Sequence, residues 1–191
     1  HIDAVNEREQ QLASRNAAMP QELKIYRQRS IDVLQMIQNH VGDPPAGDLE
    51  LQQMWVSPTE VKLADSKGKA VAILFRGYED RRSAGLFQKL DAHMAKDADR
   101  HAFAAVHYLK GSHDLLDQAD KLRNELLSLG IENTSVGFDP DATKKSVFRT
   151  FNAMVGSATL MIFDRDGRLM WWMQDPRDMD AKQIINIWDR L

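Results

Sequence analysis

Asp80-Arg81-Arg82-Ser83 sets a carboxylate, two guanidiniums and a hydroxyl where an apolar run gives way to a helical pattern. Two readings fit these residue types. Asp80 or Ser83 can cap the N–H groups of the helix start, leaving the arginines solvated. Alternatively the segment is a recognition surface in which Arg81 and Arg82 grip a carboxylate bidentately. Ser83 as a nucleophile requires a hydrogen-bonded base. The nearest histidine, His93, falls near the far end of the same helical pattern, and no Gly-x-Ser-x-Gly elbow surrounds Ser83. No residue is therefore assigned a catalytic role.

The histidines give no metal signature. His93, His101, His107 and His113 are scattered without the i,i+4 spacing that places two imidazoles on one helix face, so the expectation is surface and strand histidines with no metal and no cofactor. His1 could chelate copper weakly through its amino group. Asp164-Arg165-Asp166-Gly167 opens like a calcium loop but has neither the third acidic position nor the downstream Glu; it reads as a hairpin turn. The chain contains 0 cysteines, which excludes disulfides, thiolate catalysis, zinc knuckles and iron–sulfur clusters within it.

The elements that must position these residues follow from hydrophobic periodicity. The 191 residues carry net charge -3, with 25 basic against 28 acidic side chains, so nucleic acid and anionic membranes are not expected partners. No apolar run approaches the roughly 20 residues of a bilayer span, and no basic-then-apolar leader opens the chain. A removed leader or anchor would leave no trace. Leu23, Tyr26, Val33 and Ile37 make one amphipathic stripe over 20–41, opened by Pro20, and Gly42 to Asp48 concentrates helix breakers. The expected division is a helical extension over 1–42 and a domain over 43–191.

Within that domain short apolar runs alternate with amphipathic helices. Val56 to Leu63 contains Pro58 and reads as an edge strand or loop. Ala70 to Phe75 is apolar throughout, as a strand buried on both faces must be. A helix over 82–96 carries Leu86, Phe87, Leu90 and Met94. A second buried strand spans 102–109. The next helix holds Leu115, Leu116, Ala119, Leu122, Leu126, Leu127 and Leu129 and is capped by Gly130. A strand over 134–138 leads to a helix start at Asp139-Pro140-Asp141, and a hairpin pairs Thr159 to Phe163 with Arg168 to Met173. A helix over 179–191 ends the chain. The order β-α-β-α-β-α-β-β-α implies parallel strands joined by right-handed crossovers, with an antiparallel hairpin at one edge.

This order resembles the thioredoxin-like redoxin superfamily, in particular its TlpA-like and AhpC-TSA-type members, over 49–191. In that family a Gly-Lys pair precedes a strand ending in Phe-Trp-Ala-x-Trp-Cys-x-x-Cys. Here Gly68-Lys69 precedes Ala70 to Phe75, followed by Arg76-Gly77-Tyr78-Glu79-Asp80-Arg81-Arg82-Ser83. Aligned on Phe75, Asp80 stands where the attacking cysteine would be and Ser83 where the resolving one would be. The family's Gly-x-Pro-Thr-x-x-x-Ile-Asp-x-x-Gly, whose proline is cis, corresponds to Gly156-Ser157-Ala158-Thr159-Leu160-Met161-Ile162-Phe163-Asp164-Arg165-Asp166-Gly167, so Ala158 replaces that proline. A cis bond before a residue other than proline costs about 2.5–4 kcal/mol, so trans geometry is expected. The resemblance implies an α/β three-layer sandwich with a mixed central sheet, and export to a bacterial envelope compartment such as the periplasm.

Thiol–disulfide exchange needs a sulfur nucleophile and a sulfur leaving group. Asp80 and Ser83 supply neither, so disulfide reductase, isomerase and thiol peroxidase activities are not expected. Three functions then remain: a redox-inactive protein-binding or assembly module, a non-thiol enzyme or metal handler built on Asp80–Ser83, and a purely structural dimerisation domain. The candidate partner-binding residues are Arg76, Tyr78, Glu79, Arg81, Arg82 and Ser157, with Trp171 and Trp172. In Met170-Trp171-Trp172-Met173 alternation sends Trp171 and Met173 to one face and Met170 and Trp172 to the other, so one pair covers the core while the other meets the last helix or a partner. The stripe over 20–41 either packs on its own domain or pairs two subunits as a homodimer.

Overall fold

The computed structural model describes residues 41–43, 55–57, 61–78, 80–108, 115–139, 147–151, 153 and 157–191. The expected extension over 1–42, apart from Val41 and Gly42, lies outside these residues, as do Pro58, Glu79, Leu109, His113, the Pro140-Asp141 helix start and Gly156. Among the described residues no helix is long and apolar enough to cross a membrane.

Five strands form one mixed sheet: β1 (Ala70–Gly77), β2 (His101–Tyr108), β3 (Ser135–Asp139), β4 (Thr159–Phe163) and β5 (Leu169–Gln174), in spatial order β3-β2-β1-β4-β5. β1 runs parallel to β2, and β2 to β3, whereas β4 is antiparallel to both β1 and β5. Among the described residues the helices are α1 (Ala84–Met94), α2 (Leu115–Leu129), α3 (Val147–Thr150) and α4 (Ala181–Trp188). The order β1-α1-β2-α2-β3-α3-β4-β5-α4 is the one the periodicity predicts. In the segment expected as an edge strand or loop, the described residues show an antiparallel bridge between Trp55 and Gly137 beside Val56, and Leu63–Ser66 forms a 3₁₀ turn.

The unbroken apolar run of β1 is explained by covering on both faces. Ala70, Ala72 and Leu74 join Leu86, Phe87 and Leu90 of α1, Leu122 and Leu126 of α2, and Ile184 and Trp188 of α4 in one core. On the opposite face Phe75 meets Phe148 edge-on at 5.2 Å and Phe151 at 5.4 Å. Each such buried large side chain contributes about 1.5–3 kcal/mol by leaving water. The hairpin turn is tied by Asp164, whose carboxylate accepts the N–H groups of Asp166 and Arg168, and Gly167 takes the left-handed conformation at φ 78° that the turn requires. At the outer edge, Gly42 donates to the Leu169 carbonyl and Leu169 donates to that of Asp43.

Asp91 fastens α1 to the start of β3. It is buried, and its carboxylate accepts the Thr134 hydroxyl at 2.6 Å and the backbone N–H groups of Thr134 at 2.7 Å and Asn133 at 2.9 Å. Burial alone would raise its pKa, but the hydrogen bonds from Thr134, Asn133 and Glu132 outweigh that and hold the carboxyl below its ordinary range.

Candidate functional site

β1 delivers Asp80–Ser83 to the carboxyl end of the parallel strands, where open α/β sheets gather ligands. Asp80 organises the turn into α1. Its Oδ2 accepts the Ser83 hydroxyl at 2.7 Å, and its Oδ1 accepts the Arg82 backbone N–H at 3.1 Å. Ser83 is the residue before α1, but its side chain makes no cap bond to the helix. It is 0% exposed, so its oxygen has no path to attack a substrate. Arg81 and Arg82 are exposed. At this turn a carboxylate and a buried hydroxyl are thus bonded to each other.

Arg76 lies beneath this turn rather than on the surface. Its side chain is fully buried, with Nη2 donating to the Asp80 carbonyl at 2.7 Å and to Glu125 of α2 at 3.0 Å, and its guanidinium sits 5.3 Å from the Phe87 ring centre. Nε and Nη1 find no partner among the described residues. Burial pulls this arginine below its ordinary pKa, with Glu125 and Asp80 opposing. Its register partner on β2 is His107, also fully buried, whose ring nitrogens form no well-aligned hydrogen bond. Burial, reinforced by the Arg76 charge, pushes His107 well below the ordinary imidazole range. The surface role expected for Arg76 is therefore replaced by an internal one: it ties the turn to α2.

Between the start of α1 and the flank of α2 runs an open groove of about 480 Å³, lined by Tyr78, Arg81, Lys121, Asn124, Glu125 and Leu129, among others. Gln88 bridges the two helices by donating to the Leu129 carbonyl at 2.8 Å. Ser157 is half-buried and Ala158 buried just ahead of β4, and the pairing of Phe75 with Thr159 puts them at the same end of the sheet as Asp80. The Ala158 carbonyl accepts the Asp175 N–H at 2.7 Å, and no cis peptide bond occurs among the described residues.

Trp171 and Trp172 do not join this constellation. They lie half-buried on β5 with β4 between them and β1, and Trp171 packs against the core. Three residues that the sequence did not bring together do converge, at the opposite end of β1. His93, His101 and Asp189 place one ligand-capable atom each within 4.8 Å of one another.

No protein-family model matches the sequence, and no curated protein matches it. Solved structures do match the fold. One is a DsbF homologue from Corynebacterium diphtheriae, to which this chain is similar with a TM-score of 0.61 at 15% identity over 78% of this chain and 87% of that one. A second is the exposed lipoprotein thioredoxin of Streptococcus pneumoniae, with a TM-score of 0.59 at 22% identity over 76% of this chain and 100% of that one. A third is a secreted Mycobacterium tuberculosis disulfide oxidoreductase, with a TM-score of 0.57 at 12% identity over 72% and 93% of the two chains. The mixed five-stranded sheet, the matching element order and these structural likenesses give the chain a thioredoxin-like fold, here built with no cysteine.

Proposed function

We propose that the chain is a redox-inactive thioredoxin-like module that binds an extended polypeptide, working in an exported, envelope compartment. The observation that carries this reading is the groove beside the Asp80–Ser83 turn. Its lining combines the exposed Arg81 and Lys121, the latter paired with Asp117, with the half-buried Tyr78 and Leu129, and its acidic residue Glu125 is paired with Arg76, a mixture of charge and apolar surface that suits a peptide with acidic side chains. The chain has no cysteine, while the strand beneath the turn is tied to α2 by the Arg76–Glu125 pair. Export is supported by the exposed and secreted proteins among the structural likenesses.

The reading that builds an enzyme on Asp80 and Ser83 has less support. Ser83 is sealed, the Asp80 carboxylate is engaged by two donors, and His93 stands on the last turn of α1. At 1.5 Å per residue that is about 15 Å from Ser83 along the helix.

The test is selection of peptides from a random display library on the intact chain. Acidic peptides should be enriched, and the Arg81→Glu/Arg82→Glu and Lys121→Glu variants should bind them at least about tenfold more weakly, the effect of reversing a partly desolvated charge. Selection of no binding peptide, or of peptides indifferent to all three substitutions, would overturn the proposal.

A further inference from the structure

We propose that His93, His101 and Asp189 form a binding site for a divalent transition ion of the zinc type, at the end of the sheet remote from the peptide groove. His93 comes from the last turn of α1, His101 is the first residue of β2, and Asp189 directly follows α4. Two consecutive elements and the remote end of α4 therefore present two imidazoles and one carboxylate to a common point, the ligand set that three-ligand zinc sites with an open fourth position use.

The distances suit an ion. The His93 Nε2 and His101 Nε2 atoms lie 2.7 Å and 3.7 Å from the same oxygen, Asp189 Oδ1. Ligand atoms around a tetrahedral zinc with bonds of 2.0–2.1 Å stand about 3.3 Å apart. Holding an ion requires the His93–Asp189 separation to open by about 0.6 Å, the His101–Asp189 separation to close by about 0.4 Å, and the two imidazoles, whose ligand atoms lie within 4.8 Å of each other, to draw together, with His93 and Asp189 the side chains that reach solvent.

A plain hydrogen-bonded pair accounts for only part of the arrangement. It uses His93 and leaves His101 out: that imidazole is 1% exposed, and its Nε2 at 3.7 Å is too far from Asp189 for a hydrogen bond. A cation between Nε2 and Oδ1 would bring His101 into the same constellation as His93. The other nitrogen, Nδ1, lies 3.9 Å from Asp97 Oδ2 without a hydrogen bond, so Asp97 contributes negative charge beside the site and no direct contact to the ring.

The surroundings hold the rings in place. Trp188 is fully buried, its indole N–H donates to the Ala70 carbonyl at 3.0 Å, and its ring lies 4.9 Å from that of His101 and 5.7 Å from that of His93. The nearby Arg100 opposes a cation, but it is engaged by Asp97 at 3.1 Å and by the Asp189 carbonyl at 3.3 Å. Asp97, Asp189 and Arg100 together leave one net negative charge to meet the incoming ion. Binding there would clamp α4 onto α1 and β2.

The experiment is titration of the chelator-treated chain with Co²⁺, read by its visible absorption, and with Zn²⁺, read by calorimetry. Asp189→Asn and His93→Gln are the test variants, because both side chains reach solvent, and His1→Ala is the control for chelation at the amino terminus. The expected result is one equivalent bound, a Co²⁺ band of low coordination number, and affinity lower by at least about tenfold in both test variants, with His1→Ala unchanged. Absence of saturable binding below about 1 mM metal, equal affinity in the folded test variants, or loss of binding in His1→Ala would overturn the proposal. Circular dichroism checks the fold of each variant, and His93→Gln decides alone if Asp189→Asn does not fold.

Discussion

The Ser83 hydroxyl donates to the Asp80 carboxylate over 2.7 Å, and this bond spans the two positions where the family resemblance puts cysteine sulfurs. Asp80 also receives the Arg82 N–H, so removing the carboxylate strands two donors, one of them buried. Asp80→Ala should cost about 1–3 kcal/mol in urea unfolding, and Ser83→Ala, which leaves the carboxylate partly hydrated, about 1 kcal/mol. Equal costs for the two would contradict the assignment of Asp80 as the organising residue.

Arg76 and Glu125 form an ion pair at 3.0 Å with side-chain exposures of 0% and 14%. Removing one partner of such a pair leaves a charge in a poor solvent, whereas removing both leaves none. Glu125→Ala should therefore destabilise by about 3 kcal/mol, while the double change Arg76→Met/Glu125→Met should cost clearly less. Chemical denaturation of the two variants checks the ordering.

His107 makes stability depend on pH. Its folded pKa lies well below the ordinary value, so the native state holds a neutral imidazole that the unfolded chain protonates below about pH 6.5. The contribution is full above that pH and is lost as pH falls toward the lower folded value. Between pH 7.5 and pH 5 the wild type should lose up to about 2 kcal/mol more than His107→Leu. Parallel urea curves at the two pH values measure the difference.

Asp91 acts with the same sign at lower pH. Its carboxyl is held below the ordinary range by donors from Thr134, Asn133 and Glu132, so its contribution is full above the ordinary carboxylate pKa and disappears as pH falls through the lower folded value. Asp91→Asn keeps the volume but points an NH₂ at groups that are already donors. A loss of about 2–4 kcal/mol is expected at neutral pH, with amide exchange of Thr134 and Asn133 accelerated alongside.

Much of the scaffold was legible because its signals are local. The apolar run from Ala70, the leucines repeating along α2 and the Asp164–Gly167 turn each carry their own period or turn chemistry, and the pairings in β1, β2, β4 and β5 follow from them. The site was less legible because its decisive features are long-range. Arg76 at the end of an apolar strand looks solvent-facing until Glu125, 49 residues on, is seen to receive it. His93 and Asp189 meet across 96 residues, and neither neighbourhood contains a spacing motif. Asp91 reads as a polar position of an amphipathic helix; only the turn at Asn133 and Thr134 shows why it is buried. The Asp80–Ser83 bond was within reach, since a carboxylate and a hydroxyl three residues apart at a helix start favour such contacts.

The most direct measurement of the central claim is hydrogen exchange on the intact chain with and without a peptide selected by its binding. Slowed exchange confined to Tyr78, Arg81 to Ala84 and the α2 segment Lys121 to Leu129 is the predicted result, because these residues line the groove or the turn beside it. Protection that falls instead on the Trp171–Trp172 strand, with the groove unchanged, would contradict the account.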